Sequence, residues 1–300
     1  SGTSYGSAPF VISNTLEDGY SEWCLSRLAV ALGHFDDSAR YAMRSESYRN
    51  IFDTTVGWFR PRRADGSWEP WPAEGRLKQF YGTVESNPYQ QGWFVPHDIP
   101  GMVALMGGRE KAIADLSEMF ARTPGNMLWN DYYNHANEPV HHIPFLFNRL
   151  GAPWLTQRWS RQICQRAYHN GVEGLVGNED VGQMSAWYVL AASGFHPVCP
   201  GDTRYEITSP VFSRVVIRVG GGGSGAGLGE RGGSDARGND GGGRTFTIVA
   251  RNNSPENVYI QSATLNGKPY RVCHIDHAQI VAGGRLELMM GARPNKNWGL

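Results

Sequence analysis

The segment GNEDVGQMSAWY, Gly177 to Tyr188, sets two carboxylates, Glu179 and Asp180, among glycines directly ahead of a helical run. Gln183, Met184, Ala186, Trp187, Val189 and Leu190 supply an apolar helical face that Gly194 closes. Acids at a helix mouth gain from the positive end of the helix dipole, and glycines allow turns that bulkier residues resist. The plain alternative is a capped, buried helix with an acidic start. The decision between the two comes from the segments upstream.

Outward from this loop, the first two thirds of the 300 residues read as helices joined by long aromatic-rich loops. Asn14 and Glu17 have capping-box spacing. Leu16, Tyr20, Trp23, Cys24, Leu28 and Ala31 form a helical stripe that stops at Gly33. Asp37 is placed to cap a second helix carrying Tyr41, Tyr48 and Phe52. Pro100 opens a short helix ending near Gly107, and Ala112, Leu116, Met119 and Phe120 line the next. Further helices are expected near residues 140–150, 154–169 and 183–193. Consecutive helical hairpins with elaborate loops on one side predict an α/α toroid whose loops carry the site.

Beyond Pro200 the pattern turns to strands: VVIRV (215–219), FTIVA (246–250), VYIQSATL (258–265), YRVCHI (270–275) and Leu286 to Met290. Asn266-Gly267 is a two-residue hairpin signal. Between Gly220 and Gly243 lie 13 glycines. With no GxxxxGK[ST] and no following helix, that tract reads as an inserted surface loop rather than a phosphate cradle. The expected architecture is therefore mainly α with appended β, divided into residues 1–205 (helical) and 206–300 (β, with the insertion at 220–243).

Balanced charge, 28 basic against 28 acidic residues, argues for no nucleic acid and no anionic membrane as partner. No run approaches the roughly 18 apolar residues of a membrane span. The opening SGTSYGSAPF lacks the regions of a secretion signal, so the protein is cytoplasmic or the chain does not begin at the true start. Four scattered cysteines without CxxC spacing exclude a zinc ribbon and read as small buried hydrophobes; disulfides are neither required nor excluded. Ten Trp and 13 Tyr suit either a packed core or a sugar site.

Three loop motifs carry candidate chemistry. In TVESNPYQQGWFVPHD (83–98), Glu85 is followed by Tyr89, Trp93, His97 and Asp98, aromatic surroundings that would raise a general acid by desolvation. In NDYYNHANEPVHH (130–142), Asn137 and Glu138 beside Pro139 offer hard oxygen ligands suited to calcium. His135, His141 and His142 raise a zinc alternative, though without HExxH spacing. The third motif is the Glu179-Asp180 loop. A fourth segment, YAMRSESYRNIFD (41–53), holds Arg44 and Arg49, which read as ordinary ion-pairing residues. One scheme accommodates the first three: Glu85 as acid, Asp180 as base with Glu179 nearby, and Asn137 with Glu138 holding a cation. Two carboxylates among aromatics and amides on a helical scaffold is glycosidase logic.

With those motifs in place, the chain resembles glycoside hydrolase family 92, the calcium-dependent exo-α-mannosidases. The likeness rests on NTLEDGYSEWCLSRLAVALG, RSESYRNIFD, ESNPYQQGWFVPHD, HANEPVHHIPFLFNRLGAPW, GNEDVGQMSAWYVLAASGF and HPVCPG, in that order. It implies part of an (α/α)6 toroid with C-terminal β-strands of a sandwich, and removal of terminal α-linked mannose from mannose-containing glycans with inversion. By the same likeness Glu85 matches the general acid and Asp180 the water-activating base. Asn137 and Glu138 match the Ca2+ region and His135 the mannose pocket; Trp93, His97 and Glu179 are further substrate-binding candidates. Two positions depart from the family: Asn178 stands where some relatives carry Asp, and NPYQQGW follows the acid in place of an unbroken Trp-containing run. Family members are far longer, so the resemblance is to their C-terminal portion, with part of the mannose pocket in a missing N-terminal segment and a secreted or periplasmic location. The competing expectations are a non-catalytic carbohydrate-binding fragment and a glycosidase of another linkage.

Overall fold

The computed structural model describes residues 10–220 and 244–300. The glycine-rich insertion expected at 220–243 therefore lies, from Gly221 onward, outside the described residues. The first helix, α1 (Val11–Ala31), starts ahead of the expected Asn14 cap. Its leading amides are satisfied from a distance: Ile12 N and Ser13 N donate to Gly82 O at 2.7 and 3.2 Å. That carbonyl does the work of a side-chain cap. Leu16 is fully buried, Tyr20, Trp23 and Cys24 are half-buried, and Leu28 and Ala31 are exposed, so the stripe loses its cover along the helix. Helix α2 (Phe35–Ser45) holds Asp36 and Asp37 in its first turn, favourable to the dipole, rather than using Asp37 as cap. Tyr48 falls on a 3-10 turn (Glu46–Ile51), and Phe52 opens a two-residue hairpin of β1 (Phe52–Asp53) and β2 (Trp58–Phe59).

A one-turn α3 (Pro88–Gln91) follows, then α4 (Ile99–Leu105), capped by Asp98 accepting from Gly101 N at 2.9 Å, and α5 (Arg109–Arg122). Helices α6 (Ile143–Arg149) and α7 (Pro153–Arg166) pair through a turn at Gly151, where φ is +75°. Helix α8 (Gln183–Ser193) buries Met184 and Trp187 and exposes Ser185 and Val189. Phe145, Leu146 and Phe147 of α6 are wholly inside the helical core, with Trp93, Tyr133 and Trp187.

The β region begins ahead of the division expected at 205/206. Strand β3 (Phe195–Pro197) pairs with β4 (Arg204–Ile207), and β4 pairs with β9 (His274–Asp276). A five-stranded sheet runs β5 (Arg214–Val219), β6 (Arg244–Arg251), β10 (Gly284–Gly291), β7 (Tyr259–Leu265), β8 (Lys268–Pro269) in spatial order. The Asn266-Gly267 hairpin is present, but its second strand ends at Pro269 and YRVCHI is not one strand. Only its last two residues reach β9, in the other sheet. The two sheets share one core, in which Phe195, Ile207 and Ile275 meet Phe246, Ile248 and Leu286. A final short helix, α9 (His277–Val281), lies against this region.

Helices and sheets are joined by polar side chains on α6 and α7. Asn148 Nδ2 donates to Ile207 O and Cys273 O at 3.1 and 2.8 Å. Arg149 pairs with the fully buried Glu206 and with Asp202. Arg161, 3% exposed, donates to Ser209 O, Ser254 O, Pro210 O and Asn253 Oδ1. Among the described residues this cation has no carboxylate partner and is held by neutral oxygens.

Candidate active site

Glu85 stands on a loop folded against its own backbone. Phe80 N and Thr83 Oγ1 both donate to Ser86 O, at 2.9 and 2.6 Å. Val84 N donates to Ser13 Oγ of α1 at 2.9 Å. The turn puts Glu85 at φ +50°, a left-handed conformation uncommon for a residue with a side chain, and presents it to solvent.

The same loop is stitched to the next. Asn87 and Gln90 form a capping box on α3, with Asn87 Oδ1 accepting from Gln90 N at 2.9 Å. Their remaining amide donors reach out: Asn87 Nδ2 to Asp131 O, and Gln90 Nε2 to Asn130 O and Tyr132 O. Asn137 Nδ2 then donates to Glu85 O at 3.0 Å. The amide nitrogen of Asn137 is thereby used, leaving its oxygen for a ligand.

The acidic loop closes the third side. Gly177 packs so tightly on Ala136 that any Cβ there would run into the Ala136 carbonyl. The Glu179 carboxylate accepts from Ser185 N and Ser185 Oγ at 3.0 and 2.6 Å, capping the first turn of α8. Those bonds hold its carboxyl below the usual range. Val181 follows Asp180 at φ +49°, fully exposed; for a β-branched side chain this is strain without any burial to show for it. Trp187 Nε1 donates to His141 O at 2.9 Å and locks α8 to the middle loop.

The three loops converge on Glu138. Burial raises its carboxyl, and the negative charges of Asp180, Glu85 and Glu179 add to that rise against an opposing backbone hydrogen bond. Its Oε1 is buried and unpartnered. None of these four carboxylates enters an ion pair among the described residues. Mutual repulsion of this kind is relieved by a proton or by a cation. A hard divalent ion suits the donor set of carboxylates and an amide oxygen. The donors are close but not yet gathered: among the described residues no group of three His, Cys, Asp or Glu is set to hold a metal.

Other candidates are placed elsewhere. The dry, aromatic setting expected for Glu85 is not found: Glu85 is exposed, and Tyr89 and Trp93 are buried in the core instead of surrounding it. Trp93 is fully buried, edge-on to Trp58 at 5.4 Å, and offers no face to a sugar in this chain. His135 is also fully buried, with Tyr133 OH at 2.7 Å from Nδ1 and Tyr168 OH at 2.7 Å from Nε2. It therefore supports the middle loop from beneath instead of lining a pocket. His97 is held by another partner, its Nε2 3.0 Å from Ser45 O. The zinc alternative fails on geometry: His141 Nε2 meets His135 O and His142 Nε2 meets Trp93 O, so the three rings serve separate partners. Sequence reasoning missed Ser185, Tyr133 and Tyr168, which fix Glu179 and His135. No spacing signal marks them.

The buried histidines set an acid limit on the fold. Burial lowers His141 and His142 to about 4 and His196 to about 3. The unfolded chain takes up these protons near pH 6.5, so the stability contribution is complete above that value and is lost as pH falls toward 4. The loss is on the order of 3 kcal/mol for each of His141 and His142. Melting temperature is expected to be flat above pH 7 and to drop steeply between pH 6 and 4. A flat profile down to pH 4 would contradict the assignment of these rings as neutral.

The structure is thus a helical body with appended sheets that carries three acid-bearing loops around Glu138. The chain belongs to glycosyl hydrolase family 92, whose catalytic domain it matches over residues 4–292. It is 30% identical to an uncharacterized secreted glycosidase of Arthroderma benhamiae, over 96% of this chain and 36% of that protein. A family GH92 alpha-mannosidase from Bacteroides thetaiotaomicron superposes with a TM-score of 0.82 at 31% identity, covering 96% of this chain and 35% of the other. That enzyme is also known in complex with mannoimidazole. A GH92 inverting mannosidase from Bacteroides thetaiotaomicron VPI-5482 gives 0.83 at 31% identity, over 98% and 39%. The chain thus spans between a third and two fifths of the length of these relatives and corresponds to a portion of such proteins. Among the described residues no helix is long and apolar enough to cross a membrane.

Proposed function

We propose that this chain carries the acid and base of a calcium-assisted glycosidase site that removes terminal α-linked mannose from glycans with inversion. The observation that carries the reading is the meeting of Glu85, Glu179 and Asp180 around Glu138. Support for mannose as the sugar comes from relatives that are alpha-mannosidases, one of them in complex with mannoimidazole. Support for inversion comes from a relative described as an inverting mannosidase.

In this reading Glu85 donates a proton to the leaving-group oxygen, and Asp180 takes a proton from the attacking water on the opposite face of the sugar. Two features of the chain aim them. The left-handed turn at Glu85 projects its carboxyl out of the loop, and the Val181-Gly182 turn, pinned by Glu179 on Ser185, holds Asp180 clear of α8. Asn137 and Glu138 would hold the calcium ion, which when bound neutralises the crowded carboxylates and grips vicinal sugar hydroxyls.

The exposed apolar residues Leu25, Leu28, Leu32, Phe35 and Met43 of the α1–α2 hairpin support a further part of the proposal. These helices belong to an (α/α)6 toroid completed by the remainder of a longer polypeptide, on which full activity depends. A secreted or periplasmic location accords with the secreted relative. The test is hydrolysis of an aryl α-mannoside by the full-length protein before and after exhaustive chelation. Activity should vanish with chelator and return with calcium but not zinc. Undiminished turnover in excess chelator would remove the metal from the proposal.

A further inference from the structure

Helix α1 meets the connection between β3 and β4, and two cysteines lie close to that meeting. Tyr20 OH donates to Pro200 O at 2.5 Å, fixing one turn of α1 to the residue after Cys199. Cys24 lies four residues on from Tyr20, hence on the same face of the helix. Its Sγ is 3.8 Å from where a Cβ on Gly201 would stand, so the Cys24 side chain faces the backbone two residues past Cys199. Cys199 itself is 2% exposed and lines a cavity of about 560 Å3 together with Trp23, the residue before Cys24. The other two thiols are elsewhere: Cys273 Sγ faces Asn148 O at 3.7 Å, and Cys164 is buried on α7. All four are free in the structure.

We propose that Cys24 and Cys199 are a redox pair that closes into a disulfide, tying α1 to the connection between β3 and β4. The oxidant is a small external disulfide such as oxidised glutathione. Cys24, half-buried, is the thiol it reaches first. The Cys24 sulfur attacks one glutathione sulfur, the other glutathione departs as thiol, and a mixed disulfide remains. Cys199 then attacks the Cys24 sulfur and expels the second glutathione thiol. The two protein thiols lose two electrons and two protons, and oxidised glutathione gains both. Burial pushes the Cys199 thiol up to about 12, which makes this second step slow and faster at alkaline pH.

The bond matters because α1 also holds the Glu85 loop, through Gly82 O on Ile12 N and Ser13 N. Oxidation therefore braces one side of the candidate site against the sheets without touching an acid. The experiment incubates the protein with oxidised glutathione at mildly alkaline pH, then counts thiols after denaturation and maps peptides without reduction. Two thiols should be lost, those of Cys24 and Cys199, found together in one cross-linked pair of peptides, while Cys164 and Cys273 stay reduced. The melting temperature should rise by several degrees and return on adding dithiothreitol. C199S should stop at a glutathione adduct on Cys24. Retention of the Cys24 and Cys199 thiols, a bridge from either to another cysteine, or adducts without a bridge in the unsubstituted protein would each overturn the pairing.

Discussion

Asp180→Asn is expected to lower turnover of every α-mannoside by at least about 1,000-fold, because water must be deprotonated whatever group is leaving. Glu85→Gln should behave differently. It should cost a similar factor on an alkyl mannoside or a natural glycan and be nearly silent on an activated aryl mannoside, whose leaving group departs without a proton. The two carboxylates share a surrounding, since both bear on Glu138, yet they sit on separate loops with separate supports. Loss of one therefore leaves the other's placement intact. Equal losses for both substitutions across all leaving groups would show that the roles of acid and base are wrongly divided. Steady-state kinetics on a series of aryl mannosides of graded leaving-group acidity makes the comparison.

Arg161→Met is expected to destabilise the fold by about 3 kcal/mol and leave the chemistry alone. The guanidinium is buried and serves Ser209 O, Ser254 O, Pro210 O and Asn253 Oδ1 at once. Methionine fills similar space but strands acceptors that α7 and the sheet loops jointly bury. Two effects oppose each other. Removing an unpaired cation relieves a desolvation cost, while each orphaned acceptor costs about 1–3 kcal/mol. Four bonds outweigh one cation. Melting temperature should fall by roughly 6–12 °C, with turnover below the transition unchanged. A shift within 1 °C would mean that water takes the arginine's place.

The helical half was legible because its apolar stripes are long. Leu16 through Cys24 and Ala112 through Phe120 announce their periods without help from the rest of the fold. The helix starts were less so. Asn14 has the spacing of a cap, yet Gly82, far along the chain, supplies the acceptor to Ile12 and Ser13, and no local pattern encodes that. β3 is three residues long and follows Gly194 directly, too short for alternation to show. The residues of YRVCHI favour extended structure, but Pro269 ends the ladder and the chain crosses to another sheet.

In the site, the acids and the amide were legible from loop composition: carboxylates beside glycine or proline are easily aimed. Which aromatic and histidine side chains would face them was not. His135, Trp93 and His97 have residue types suited to sugar, and only packing decides their faces. Tyr133 and Tyr168 occupy both nitrogens of His135, Trp58 covers Trp93, and Ser45 holds His97. The chemistry of Glu138 already marks it as a ligand, and the burial of its Oε1 adds what the sequence does not express.

If Glu85 and Asp180 act on opposite faces of a mannose ring, the released sugar carries the inverted configuration. Proton NMR of the sugar first released from an aryl α-mannoside by the full-length protein, with calcium present and before mutarotation, tests it most directly. β-Mannose is expected first, with α-mannose appearing only as the anomers equilibrate. Initial release of α-mannose, or no mannose at all from a folded, calcium-supplied protein, would contradict this assignment of the two carboxylates.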